Sequence, residues 1–265
     1  MAAVSQGTLF VMNTLTAFYQ DIGPALTLLV LFTFLLAGTV KGVIGLGLPT
    51  IAMGLLGLAM SPAQAAALLI VPSTLTNLWQ LAIGGHLAAL IRRLWPMLLM
   101  IFIGTLAGSA WLGISSGAWA AHALGAALLL YALVGLWLPP FSLKPGQERW
   151  LGPLCGAVTG LITAATGVFV IPAVPYLQAM DLDRDARVQA LGLSFTVSTV
   201  ALAIGLAGQE ALGGQALGAS LLVLAPALAG MYFGQWLRQR ISALVFKRCF
   251  FIGLALLGAH LMING

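Results

Sequence analysis

Long apolar runs with almost no charge inside them limit this chain more than any other feature. Ten such runs occupy residues 24–43, 46–60, 62–84, 94–114, 119–138, 150–164, 168–180, 188–208, 215–237 and 244–263. A helix needs about 20 apolar residues to cross a hydrocarbon core about 30 Å thick. Most of the runs approach that length. The second and seventh are short and read either as full spans or as re-entrant, half-crossing pieces, which leaves eight to ten membrane segments. Only 6% of the residues are charged, against about 25% in soluble domains, too few to cover a water-exposed surface. A soluble enzyme and a disordered chain are both excluded. Outer-membrane barrels need alternating polar and apolar residues, and these runs are continuous. The fold class expected is an all-α integral membrane protein.

Charge orients the runs. With the N-terminus outside, odd-numbered runs end in the cytoplasm. Lys41 ends the first, Arg92 and Arg93 follow the third, and Lys144 and Arg149 follow the fifth. Arg184 and Arg187 follow the seventh, and Arg238, Arg240, Lys247 and Arg248 surround the turn after the ninth. Every basic residue then lies inside, as the positive-inside rule requires. Residues 1–23 contain no basic residue and read as an extracytoplasmic or interfacial lead-in rather than a signal peptide. Both termini are expected outside. The net charge of +5 is scattered between apolar runs, so nucleic acid is not an expected partner.

The two halves resemble each other. Leu81-Ala-Ile-Gly84 returns as Leu202-Ala-Ile-Gly205, Leu106-Ala-Gly108 as Leu228-Ala-Gly230, Gly135 as Gly258, and Gly38-x-x-x-Gly42 as Gly156-x-x-x-Gly160. The spacing is about 120 residues each time, the mark of an internal repeat. The repeats are 24–140 and 150–265, joined by a polar linker at 139–149. Each holds an odd number of runs, so the second copy enters the membrane from the opposite side. Inverted repeats belong to alternating-access transporters, with the substrate site at the repeat interface.

Polar groups inside the runs mark the candidate site. Pro72 interrupts the third run, and Ser73, Asn77 and Gln80 share one helical face beyond it. Ser194 and Ser198 form a matching stripe in the second half. Such groups either line a cavity for a small polar substrate or join helices by hydrogen bonds. Each half also contains a glycine-rich break: Lys41-Gly-Val-Ile-Gly45-Leu-Gly47-Leu-Pro49, and Thr159 to Gly167 with Thr163 and Thr166. Free backbone N–H groups at such breaks attract anions; close packing is the alternative. Gly104-x-x-x-Gly108 and Gly230-x-x-x-Gly234 read as ordinary small-residue interfaces. Lys41 is either a cytoplasmic anchor or a counter-charge for an anion. His86, His122 and His260 read as packing or interfacial residues, and Cys155 and Cys249 as buried packing residues without metal or redox spacing. Asp21, Glu148, Asp181, Asp183, Asp185 and Glu210 all fall in loops or at run ends. No constellation suggests a metal, a cofactor or an enzyme.

These pieces resemble the sulfite exporter TauE/SafE family of bacterial membrane permeases. The matching residues are Lys41 to Pro49, Thr76-Asn77-Leu78-Trp79-Gln80, Gly84-Gly85-His86 and Gly167-Val-Phe-Val-Ile-Pro172. The resemblance implies a plasma-membrane transporter of small sulfur-containing anions such as sulfite or organosulfonates. The expectation is a secondary transporter, an exporter, with a passive small-anion channel as the alternative. Its candidate substrate-binding residues are Lys41, Gly45, Gly47, Ser73, Asn77, Gln80, Thr163, Thr166, Ser194 and Ser198. The expected partners are a small anionic substrate and the lipid bilayer, with a homodimer as an open option.

Loop charge yields a direct check. Reporter fusions at Ser116 and Gly265 should read extracytoplasmic and a fusion at Pro145 cytoplasmic. A cytoplasmic Gly265 would remove the inversion of the second half.

Overall fold

The structure is a computed structural model that describes residues 2–82, 84–112, 118–138, 142–144, 146–209 and 211–265, with side chains from residue 18 onward, residue 118 apart. Ser116, Pro145, Glu210, position 114 and linker positions 139–141 lie outside the described residues, as do Met1 and Ile83. Among the described residues all regular structure is helical: α1 Ala2–Ile44, α2 Leu48–Leu56, α3 Pro62–Ala82, α4 Leu87–Leu112, α5 Ala118–Trp137, α6 Glu148–Thr166, α7 Ala173–Ala179, α8 Arg184–Gly208, α9 Gly214–Leu222, α10 Leu224–Arg238 and α11 Ala243–Asn264. Seven helices among those residues are long and apolar enough to cross a membrane. The 19-residue α6 has the length but carries Thr159, Thr163 and Thr166. Helices α2 and α7, of nine and seven residues, span only about 10–14 Å at 1.5 Å per residue. The two short runs are therefore half-crossing pieces.

Local signals set the helix ends. Ser61 and Gln64 form a reciprocal capping box at α3, Ser61 N donating to Gln64 Oε1 at 3.2 Å and Gln64 N to Ser61 Oγ at 3.3 Å. Asp183 caps α8 by accepting from Ala186 N at 2.8 Å. Gly167, at φ +70°, ends α6 with its N–H on Thr163 O.

Several expectations are corrected. The lead-in is helical from Ala2 and joins the first run within α1 across a kink at Gly23–Pro24, where Gly23 leaves helical φ/ψ. The fourth helix begins at Leu87, so Arg92 and Arg93 lie on it rather than in a loop. There Arg93 reaches Glu148 at the start of α6, with Nε 2.8 Å from Oε2. The ninth run is one of the seven membrane-length stretches, Gly214–Arg238, interrupted between α9 and α10 because Pro226 has no N–H for the carbonyl of Leu222. Cys249 is exposed and Cys155 half-buried, so neither is a core residue.

Packing joins the halves rather than separating them. The most extensive pairings are α4 with α6, α1 with α10, α5 with α11 and α3 with α8. Gly38 and Gly42 of α1 meet the backbone of Ala227, Met231 and Gly234, while Gly156 and Gly160 of α6 meet that of Met97, Ile101 and Gly104. A Cβ on Gly160 would stand 2.6 Å from Ile101 O. The four glycine pairs are thus the close interfaces their spacing suggests. Helices α1 and α10 run parallel, as do α4 and α6. Helices α3 and α8 run antiparallel, since Ser73 meets Thr199 and Leu81 meets Gln189. Helices α5 and α11 also run antiparallel, with Gly125 against Gly258; Gly135 instead faces the Phe251 ring, so those two matched glycines differ in surroundings. Large apolar side chains such as Leu28, Phe32, Trp95, Trp111, Trp137 and Leu256 point outward, the surface a bilayer requires.

Pro72 would leave the Leu68 carbonyl without its helical donor. Ser220 of α9 replaces it, donating to Leu68 O at 2.7 Å and accepting from Val71 N at 3.0 Å. Ser220→Ala strands both backbone groups and should cost about 1–3 kcal/mol. Unfolding of the purified variant in detergent measures this, and an unchanged midpoint would contradict it.

Candidate functional site

The break after α1 does not carry the chain out to solvent. Leu46, Gly47 and Leu48 are buried, and Gly45 and Gly47 turn the backbone at φ +78° and +104°, values that favour glycine. Helix α3 returns alongside the end of α1, in the same direction. Gln80 Nε2 donates to Gly45 O at 2.7 Å. One turn earlier on both helices, Lys41 Nζ donates to Thr76 Oγ1 at 2.9 Å and to Asn77 Oδ1. Lys41 is 4% exposed, so it is not an anchor reaching for the interface.

A chain of polar groups leads on from Lys41 into the second half. Asn77 Nδ2 donates to Ser73 Oγ at 3.1 Å and to Thr199 Oγ1 of α8 at 3.4 Å. The hydroxyls of Ser73 and Thr199 are 3.1 Å apart. Thr76 Oγ1 donates back to Pro72 O at 2.7 Å, so its remaining lone pair serves Lys41. Helices α3 and α8 approach closely here because Gly192 has no side chain; a Cβ there would be 2.8 Å from Gln80 Cβ.

Among the ten candidate residues, the structure brings Lys41, Gly45, Ser73, Asn77 and Gln80 into one hydrogen-bonded neighbourhood. Gly47 lies beside the break, pressed on Val40 and the Phe250 ring. Thr163 and Thr166 turn their hydroxyls onto their own helix, to Thr159 O and Ile162 O, both at 2.7 Å. Thr166 Oγ1 also accepts from Val168 N at 3.2 Å, which holds the second break. Ser194 and Ser198 are fully buried, and their hydroxyls have no partner. Two members of the cluster, Thr76 and Thr199, were not among the candidates. Thr76 was legible as the residue four beyond Pro72. A third such residue, Gln189, closes the end of α3, with Nε2 on Leu81 O at 2.7 Å and Oε1 accepting from His86 N at 3.0 Å.

No carboxylate is bonded to Lys41: the ion pairs among the described residues are His86 with Asp183 and Arg93 with Glu148. Nor do those residues contain a group of three His, Cys, Asp or Glu side chains able to hold a metal. A buried ammonium held only by neutral oxygens is poorly compensated. The arrangement is a positive point enclosed by hydroxyl and amide groups at the contact of α1, α3 and α8. Chemically, it can bind an anion.

The Ser73–Thr199 contact can be weighed directly. A double-mutant cycle with Ser73→Ala and Thr199→Val, read by unfolding in detergent, should give a coupling of about 0.6 kcal/mol and below about 2 kcal/mol. Strict additivity would show that the two hydroxyls do not interact.

A family model described as Sulfite exporter TauE/SafE matches residues 30–261. No curated protein and no solved structure matches the chain. The family match includes both glycine breaks, Lys41, and the whole of α3 and α8. Apolar helices, a buried cation without a counter-ion and this match agree: the chain belongs to the sulfite exporter TauE/SafE family, and is a multi-pass membrane transporter rather than an enzyme.

Proposed function

We propose that the protein is a secondary transporter that exports a small anion of the sulfite or organosulfonate type across the bacterial plasma membrane. The substrate binds between the halves 24–140 and 150–265. The observation that carries this reading is Lys41, buried at 4% exposure with Thr76 and Asn77 as its hydrogen-bond partners among the described residues. An ammonium has three donors. Two are engaged, one is left, and the neighbouring groups supply no negative charge. An anion entering a low-dielectric site loses hydration and needs charge-assisted hydrogen bonds in return. Lys41 provides charge, and Asn77 Nδ2 and the Thr76 hydroxyl provide dipoles. The partnerless hydroxyls of Ser194 and Ser198 are the second half's candidate donors. Gly45 and Gly47 keep the backbone of the break close to the site, and Thr163 and Thr166 hold the corresponding break in α6.

An inverted repeat is supported by the packing. Helices at equivalent places, α3 with α8 and α5 with α11, run antiparallel. The pair α1–α10 of one combination corresponds to α6–α4 of the other. The orientation with both termini outside is supported by convergence of the basic ends. Arg184, Arg187, Arg238 and Lys247 gather beside the end of α1.

Flux of labelled sulfite into proteoliposomes, with counterflow, tests the reading. Saturable counterflow is expected; linear, non-saturable flux would point to a channel, and no flux of any sulfur oxyanion or sulfonate would refute both. Lys41→Gln and Asn77→Leu should each lower flux more than about ten-fold, the equivalent of one lost interaction of about 1.4 kcal/mol, with normal membrane insertion. Lys41→Arg should lower flux as well, because the planar guanidinium fork does not reproduce the ammonium's bonds to Thr76 and Asn77. Wild-type flux in the Asn77→Leu protein would return the cluster to a packing role.

A further inference from the structure

Beside the first glycine break opens a cavity of about 300 Å³, at the low end of the range of small-molecule sites. Its polar wall comes from six helices or their ends: Gly45 after α1, Tyr131 of α5, Gln178 of α7, Arg184 and Arg187 of α8, Arg238 of α10 and Lys247 of α11. Four cations face this space, and no carboxylate is in its lining. The nearby Asp183 is committed elsewhere, capping Ala186 N and lying 3.7 Å from His86 Nε2. None of the four cations belongs to an ion pair among the described residues.

Interface anchors extend their charged ends toward water and headgroups. Two donors here do the reverse. Arg187 is pinned by a bond from one terminal nitrogen to Leu182 O at 2.7 Å, and its enclosed Nε has no partner. Tyr131 is 2% exposed, and its hydroxyl is also enclosed without a partner. Buried donors left unmade cost free energy; the two residues line the same cavity as Arg184, Arg238 and Lys247, although neither atom is itself open to it.

We propose that this cavity is a second anion site, a vestibule that holds a small oxyanion before it reaches Lys41. The Arg187 guanidinium, and the Tyr131 hydroxyl once a small shift of its ring opens it to the cavity, donate to its oxygens, and Arg184, Arg238 and Lys247 supply further charge. So many fixed cations favour a dianion over a monoanion. Gly45 is the shared partition: it lines the vestibule, and its carbonyl accepts from Gln80, which follows Asn77 by one turn. The choice of ligand rests on the anion-transport reading; the existence of the site does not.

The test is equilibrium binding, which separates the two. Purified full-length protein in detergent is titrated calorimetrically with sulfite and with sulfate. The Lys41→Gln protein, impaired at the inner site, should keep one saturable site for these dianions. Adding Arg187→Gln and Arg238→Gln to it should weaken that site by about ten-fold or more. Tyr131→Phe should weaken it by about three-fold without lowering thermal stability, because the hydroxyl has no protein partner to lose. A merely structural tyrosine would leave the titration unchanged. Loss of all saturable binding in Lys41→Gln, or titrations unmoved by the arginine and tyrosine substitutions, overturns the vestibule while transport by the wild-type protein would still stand. Saturable binding that depends on Arg187 and Tyr131 in a protein that carries no flux supports the vestibule and refutes the transporter reading instead.

Discussion

Where Gly42 meets Gly234 and Gly160 meets Gly104, helix backbones touch with no side chain between them. Lipid tails are as apolar as leucine, so burial of apolar surface gives little drive for helices to associate in a bilayer; close packing must supply it. Each of these contacts joins a helix of one half to a helix of the other. The halves are therefore interlocked, and α3 and α8 are enclosed between them. A side chain on any of these glycines would push α1 from α10 or α4 from α6 and open the enclosure around Lys41.

That enclosure decides the chemistry. At the surface a lysine is a solvated charge of little consequence. Held by Thr76 and Asn77 at the end of α1, it is a charge whose water has been removed and replaced by two neutral acceptors. Electrostatic interactions strengthen as the local dielectric falls. On the proposed reading, the site discriminates by sign before it discriminates by shape. Pro72 contributes indirectly, since the carbonyls and hydroxyls of a disturbed helix are free to turn toward neighbours.

The features imposed by the bilayer were legible in the sequence. Apolar run length, basic residues between runs, and glycines four apart each reflect a constraint that acts locally along the chain. Asn77 and Gln80 were legible too, because amides in an apolar run need a protein partner. Lys41 was legible as a candidate but not in its contacts, since its burial against Thr76 and Asn77 depends on α3 lying alongside the end of α1. Thr199 was hidden for a different reason. Matching the repeats sets Ser73 against Ser194, whereas an antiparallel crossing sets it against Thr199. Sequence similarity reports equivalent positions, and contact depends on where two helices cross. Arg92 and Arg93 misled because charged residues at a run's edge continue a helix as readily as they end it.

The bond pair that Ser220 makes with Leu68 and Val71 has a mechanical consequence. A proline gives α3 a soft point, and an unassisted soft point would let the helix bend independently of its neighbours. Here the missing rung is supplied from α9, so the bending stiffness of α3 is set by a helix of the other half. Sliding α3 along α9 by even a fraction of a helical turn would bare two backbone groups at once. Low-energy displacements are consequently those in which the lower part of α3 and α9 travel together. The polar segment beyond Pro72 is tied to α1 and α8 through Lys41, Gly45 and Thr199, so any bend at Pro72 is shared by all three helices.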